Sequence, residues 1–159
     1  VSTRLNRRAS LALALALLPA VALAQQAGEP QPILEQEPLT IETAAGPVGF
    51  LVEMARTPAE QSRGLMFRTL VPPGTGMLFV HERPRPVSMW MRNTPTSLDM
   101  LFIDEDGTIE SIAERTTPFS EAVISSRGPV AGVLEILAGE AERLGIEEGD
   151  QVRHPHFGG

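Results

Sequence analysis

Along much of this chain apolar and polar positions alternate, which is the period-two signature of half-buried strands. Leu39, Ile41 and Thr43 alternate with Thr40 and Glu42. After Ala45-Gly46, Val48, Phe50, Val52 and Met54 share one face, with Glu53 on the other. The two runs predict a β-hairpin. A helix over 58–67 follows, with Thr57 as N-cap, Pro58 at the first position and Glu60 closing a capping box. Gly64 inside it costs about 1 kcal/mol relative to Ala, so a close backbone approach is expected there.

Further strands are predicted at Met77 to His81, Val87 to Arg92, Leu98 to Ile103, Thr108 to Ala113, Val133 to Leu137 and Gln151 to Arg153. In the second of these, Val87, Met89 and Met91 face one way, and Ser88, Trp90 and Arg92 the other. Leu98 to Ile103 is apolar on both faces apart from Asp99, the pattern of a doubly covered strand. Residues 114–130 read as a long polar loop, and Ala138 to Leu144 as a short helix stopped by Gly145. Roughly seven short strands and two short helices make a mainly β domain, sandwich-like or barrel-like.

The two ends break the pattern. Arg4, Arg7 and Arg8 precede an apolar run from Leu11 to Leu18, and Ala22-Leu23-Ala24 is a small-x-small cleavage site. This is the form of an export signal over residues 1–24. The apolar run falls short of the roughly 20 residues a membrane span needs. A periplasmic or secreted protein is expected, cleaved near Ala24 and not inserted in the membrane, with Sec and twin-arginine export both open. Residues 25–38, rich in Gln, Glu and Pro, read as a flexible tether. The domain proper is expected over 39–153, followed by a frayed tail at 154–159.

Composition narrows the chemistry. The chain has no Cys, which excludes disulfides, thiol catalysis and zinc-thiolate sites. The net charge of −7 becomes −10 without residues 1–24, because three Arg leave and 10 Arg remain against 20 acids. Such a surface repels phosphate backbones, so nucleic acid is not an expected partner.

An ordered series of short motifs carries a resemblance. Gly64-Leu65-Met66-Phe67-Arg68 is followed by Gly76-Met77-Leu78-Phe79, then Trp90-Met91 with Asn93-Thr94, then Leu98-Asp99. Leu134-Glu135, Ala138-Gly139 and Gly149-Asp150 complete it. Over 39–153 the series resembles the small bacterial and archaeal domain of unknown function numbered 192. The resemblance implies a compact, mainly β domain, often behind an export signal, and no established reaction. Thr96-Ser97 stands where that family more often carries Ile-Pro, so a looser turn is expected there.

Three groups of residues are candidates for function. Met89 and Met91 share a strand face near Met100, with Met66, Met77 and His81 as further ligands. Thioethers favour Cu(I), but methionine is also an ordinary core filler, which is the better reading here. Trp90 and Arg92 form either a stacking platform for a planar or sugar-like ligand or a cover for the sheet. Glu53, Arg68, Asn93, Asp99 and Glu135 are the polar set. Asp99 and Glu135 interrupt apolar faces and so need a partner or neutralisation. They are expected to face a common interior, with Arg68 or Arg92 neutralising one of them, as a structural ion pair or as acid–base groups. Asn93 fits the turn before Pro95. His154 and His156 make at most a weak metal pair. The expected function is a monomeric binding or interaction module for a small molecule or protein, without a cofactor. The alternatives are a small acid–base enzyme on Asp99 and Glu135, and a periplasmic copper-binding protein.

Overall fold

The structure, a computed structural model, describes residues 28–158. The expected export segment at 1–24 lies outside the described residues. Among them are nine strands and two short helices. The hairpin forms as expected: β1 (Gln36–Thr43) pairs antiparallel with β2 (Gly46–Ala55), Leu39 opposite Phe50. Helix α1 (Pro58–Arg63) then carries the chain over to β3 (Thr75–Arg85), which runs parallel to β2. The remaining strands are β4 (Ser88–Met89), β5 (Leu98–Ile103), β6 (Ile109–Ala113), β7 (Ile124–Ser125), β8 (Val130–Leu137) and β9 (Gln151–Arg153). Helix α2 (Glu140–Leu144) lies between the last two.

Seven strands form one sheet in the order β6-β5-β8-β3-β2-β1-β9, and β4 pairs with β7 in a separate ribbon. The sheet curls until its two edges meet. Thr108 bridges Gln151, Ile109 N–H donates to Asp150 C=O at 2.9 Å, and Val152 N–H to Gly107 C=O at 2.8 Å. Closure removes exposed edges, so the barrel-like reading is the one that holds.

Closure also divides the core in two. Side chains of one parity, among them Ile41, Phe50, Val52, Leu78, Leu101 and Leu134, fill the barrel. Side chains of the other parity, among them Met77, Phe79, Met100, Phe102 and Val133, point outward from β3, β8 and β5. Leu65, Val71, Val87 and Met91 cover them from the segments after α1 and around β4. Leu98–Ile103 is buried at every position, as a doubly covered strand must be.

Several boundaries differ from expectation, each for a physical reason. α1 stops at Arg63 because Gly64 adopts φ +48 and the chain turns away. A Cβ at Gly64 would come within 3.1 Å of the Phe79 ring, the close approach its position implied. The capping box is formed: Thr57 Oγ1 accepts from Glu60 N–H at 3.2 Å, and Glu60 Oε2 accepts from Thr57 N–H at 2.8 Å. The run from Val87 to Arg92 keeps its alternation of burial but pairs only at Ser88–Met89, against β7 inside the expected loop. The fold starts earlier than 39. Gln31 Nε2 donates to Gly64 C=O, Leu34 N–H donates to Glu53, and β1 begins at Gln36. Residues 154–158 are packed, not frayed, with His154 buried and Phe157 joining the barrel core. The turn at Thr96-Ser97 is also held. Thr96 Oγ1 donates to Arg68 C=O and Ser97 Oγ to Thr116 C=O, both at 2.7 Å.

Candidate functional site

The outer face of the barrel carries a groove of about 360 Å³. α1 and the turn after it, from Pro58 to Met66, form one wall, and Val87 to Trp90 form the other. Phe79, His81 and Glu135 make the floor, and Arg85 stands at one end. The walls exist because α1 must cross from β2 to β3 over this face, while β4 returns across it from the end of β3. Trp90 remains 47% exposed, a large apolar side chain presented to solvent at the lip. Arg92 stacks on the Trp90 ring, its Cζ 4.6 Å from the centroid, and its Nε donates to Glu121 at 2.7 Å.

Glu135 is the unusual member. It lies mid-strand on β8, only 4% exposed, opposite Met100 on β5 and Met77 on β3. Its carboxyl has neither a hydrogen-bond partner nor an ion-pair partner among the described residues. Burial pushes its pKa up to about 8, so the group is a neutral acid at pH 7. The backbone cannot shift to relieve it. A Cβ at Gly76 would sit 2.3 Å from the Glu135 carbonyl oxygen, so β3 and β8 approach closely here because Gly76 has no side chain. His81 is a second under-satisfied group. Arg85 Nη2 lies 3.4 Å from its Nδ1, and its Nε2 is buried without a partner. Burial, then the Arg85 charge, bring its pKa down to about 4, so the imidazole is neutral.

The expected meeting of Asp99 and Glu135 does not occur. Asp99 pairs in register with Ile136, whereas Glu135 pairs with Met100. The two acids therefore point to opposite faces of the sheet. Asp99 is fully buried at the barrel's end and accepts from three backbone N–H groups: Arg115 at 2.8 Å, Gly139 at 2.8 Å and Ala141 at 3.1 Å. It anchors the chain before α2 and the loop after β6, a structural role. Asp99→Ala strands all three donors and is expected to lower stability by about 3–5 kcal/mol in urea denaturation. A loss below about 1 kcal/mol would show that these donors find water instead.

Arg68 does neutralise a buried acid, but the acid is Glu53. Both guanidinium terminal nitrogens lie 3.0 Å from the two carboxylate oxygens. Asn93 occupies an exposed left-handed turn (φ 55) outside the groove, where its C=O accepts from Phe67 N–H at 2.7 Å. Met91 is enclosed, with Thr116 Oγ1 3.2 Å from its sulfur, while Met89 lines the groove. The two thioethers thus have different surroundings. His154 lies 2.9 Å from Glu37 but outside hydrogen-bond geometry, and His156 Nε2 is 3.0 Å from Ala131 C=O. Among the described residues no cluster of three or more His, Asp or Glu is arranged to hold a metal ion. Sequence reasoning named His81 only as a further metal ligand beside the methionines, and it missed Arg85. It also passed over Glu140, a buried acid held by Arg143 at 2.7 Å and by Gly74 N–H.

A family model described as an uncharacterized ACR, DUF192, matches residues 40–154. The chain belongs to the DUF192 family. Two solved structures share its fold. One, from Sinorhizobium meliloti and described as a candidate transcription regulator, is 46% identical with a TM-score of 0.75, covering 77% of this chain and 96% of its own. The other, a protein of unknown function from Novosphingobium aromaticivorans, is 37% identical with a TM-score of 0.75, covering 92% of this chain and 100% of its own. No functionally curated protein matches the chain. The DUF192 motifs fall around the groove: Gly64-Leu65-Met66 in one wall, Phe79 and Glu135 in the floor, Trp90 at the lip. Among the described residues, no helix of this DUF192 domain is long and apolar enough to cross a membrane.

Proposed function

We propose that this DUF192 domain is an exported binding module that takes a small organic ligand in the groove beneath Trp90. The observation that carries the reading is Glu135, a buried acid with no partner among the described residues, at the floor of a concave site. A buried polar group without a partner is costly, and a ligand that bonds to it recovers that cost on binding. Trp90, exposed beside it, offers stacking area at the entrance.

An acid–base enzyme using Glu135 is the second reading, favoured by the same raised pKa. Its expected partner Asp99 lies on the other face of the sheet, which leaves His81, its imidazole held neutral by burial, as the acid–base group beside Glu135 in the groove. Transcription regulation, the description given to the Sinorhizobium relative, has little support here. The described residues carry 10 Arg against 20 acids, and DNA binding needs the opposite balance.

A thermal-shift screen with sugars, nucleotides, organic acids and copper salts tests the binding reading. A ligand at a hundredfold excess over Kd stabilises by about 2.7 kcal/mol, and the shift should disappear in Trp90→Ala. Ligand shifts equal in wild type and Trp90→Ala would move the site away from this groove. For export, intact-mass measurement of the periplasmic fraction should give a chain beginning near Gln25. Retention of residues 1–24 in the membrane fraction would overturn cleavage.

A further inference from the structure

We infer that the ligand is an organic anion with an elongated apolar body, its carboxylate met by Arg85 and a hydrogen-bond acceptor at its far end bonded to the Glu135 carboxyl. The inference rests on the groove being the binding site, and it adds the ligand's charge and shape.

Charge is the first argument. The domain is strongly acidic, with 20 acids against 10 Arg among the described residues, yet the charged side chains lining this groove are the opposite. They are Arg63, Arg85, His81 and Glu135. His81 and Glu135 are both neutral at pH 7, one held down near 4 and the other raised to about 8. The groove is therefore a cationic site in an anionic protein. Of the two arginines, Arg85 makes no ion pair among the described residues and bonds only to the His81 ring at 3.4 Å. A guanidinium presented to a concave site in this way recognises a carboxylate by a pair of parallel hydrogen bonds.

Shape is the second. Glu135 lies opposite Met77, and His81, which holds the Arg85 guanidinium, is four residues further along β3. At about 3.3 Å per residue that separation is roughly 13 Å. Between these ends the groove is lined by Leu65, Met66, Phe79, Val87 and Met89, with Trp90 at the lip. A flexible chain, or an aromatic ring carrying an extended arm, suits that shape, whereas a compact inorganic ion does not reach both ends. A neutral Glu135 carboxyl can donate a hydrogen bond to an acceptor at the ligand's far end.

The test is isothermal titration calorimetry of residues 25–159 with 8-hydroxyoctanoate and 4-hydroxycinnamate, beside their uncharged amides and the corresponding amines. The acids should bind, and each amide should bind at least tenfold more weakly. Arg85→Met should weaken the acids at least tenfold and leave the amides unchanged, while Arg85→Lys should restore part of the loss. Amides or amines binding as well as the acids, with no effect of Arg85→Met, would overturn the anion inference and leave the groove as a binding site. No heat with any of the probes, in wild type or variant, would overturn both.

Discussion

Arg68→Met lowers the unfolding free energy by about 3–5 kcal/mol, because it leaves the Glu53 carboxylate buried without its cation. Side chains of Arg68 and Glu53 are only 13% and 8% exposed, far from the exposed regime in which ion pairs contribute little. The pair also ties together three pieces of chain. Glu53 on β2 accepts from Leu34 N–H at 2.9 Å, and Arg68 donates to Gln31 C=O at 3.2 Å. Losing the guanidinium therefore frees the segment before β1 as well as the turn after α1. Urea denaturation measures the effect, and Arg68→Met combined with Glu53→Leu should recover part of it, since no charge is then stranded. A single-variant loss below about 1 kcal/mol would mean that water reaches Glu53 and takes over the role of Arg68.

Glu135→Gln acts in the opposite direction. The folded-state pKa of Glu135 is about 8, above its ordinary value of 4.5. Between those two values the unfolded chain has released the proton and the folded chain still holds it. Stability therefore falls as pH rises across that window, by about 1.4 kcal/mol per pH unit, and stops falling once the folded form ionises too. Glutamine has the same shape and no proton to lose. The variant should match wild type near pH 4.5 and exceed it by roughly 3 kcal/mol at pH 7. Denaturation curves at several pH values decide the matter. A constant difference across pH would show that Glu135 ionises normally and that the floor of the groove is wet.

Much of the framework was legible in the sequence because it is local. Period-two runs gave β1 and β2, a continuous apolar run gave β5, and Thr57-Pro58 with Glu60 marked the start of α1. The tertiary partners were not legible in the same way. Asp99 and Glu135 were recognisable as acids interrupting apolar faces, but which face each occupies depends on strand register. The pairing of Asp99 with Ile136 puts it inside the barrel, and a slip of one residue would have placed it outside. Its actual partners are backbone N–H groups at Arg115, Gly139 and Ala141, which leave no mark in side-chain composition. Arg68 was paired in expectation with the wrong acid because the α1 crossover makes β3 parallel to β2. That crossover brings Glu53 onto the outer face beside Met77. The ends misled for a related reason. Segments 31–35 and 154–158 have no periodicity, since they pack through single anchors such as Gln31 and Phe157 rather than through a repeating face.

The central claim is that the groove over Glu135 is where this domain meets its ligand. The methionine methyl groups report on it directly, because Met66 and Met89 line the groove while Met54 lies in the barrel core. In methyl NMR spectra of residues 25–159 titrated with 4-hydroxycinnamate, the Met66 and Met89 signals should move in step and saturate, with Met54 unchanged. Movement of Met54 with Met66 and Met89 still, or no movement at saturating 4-hydroxycinnamate, would contradict the claim.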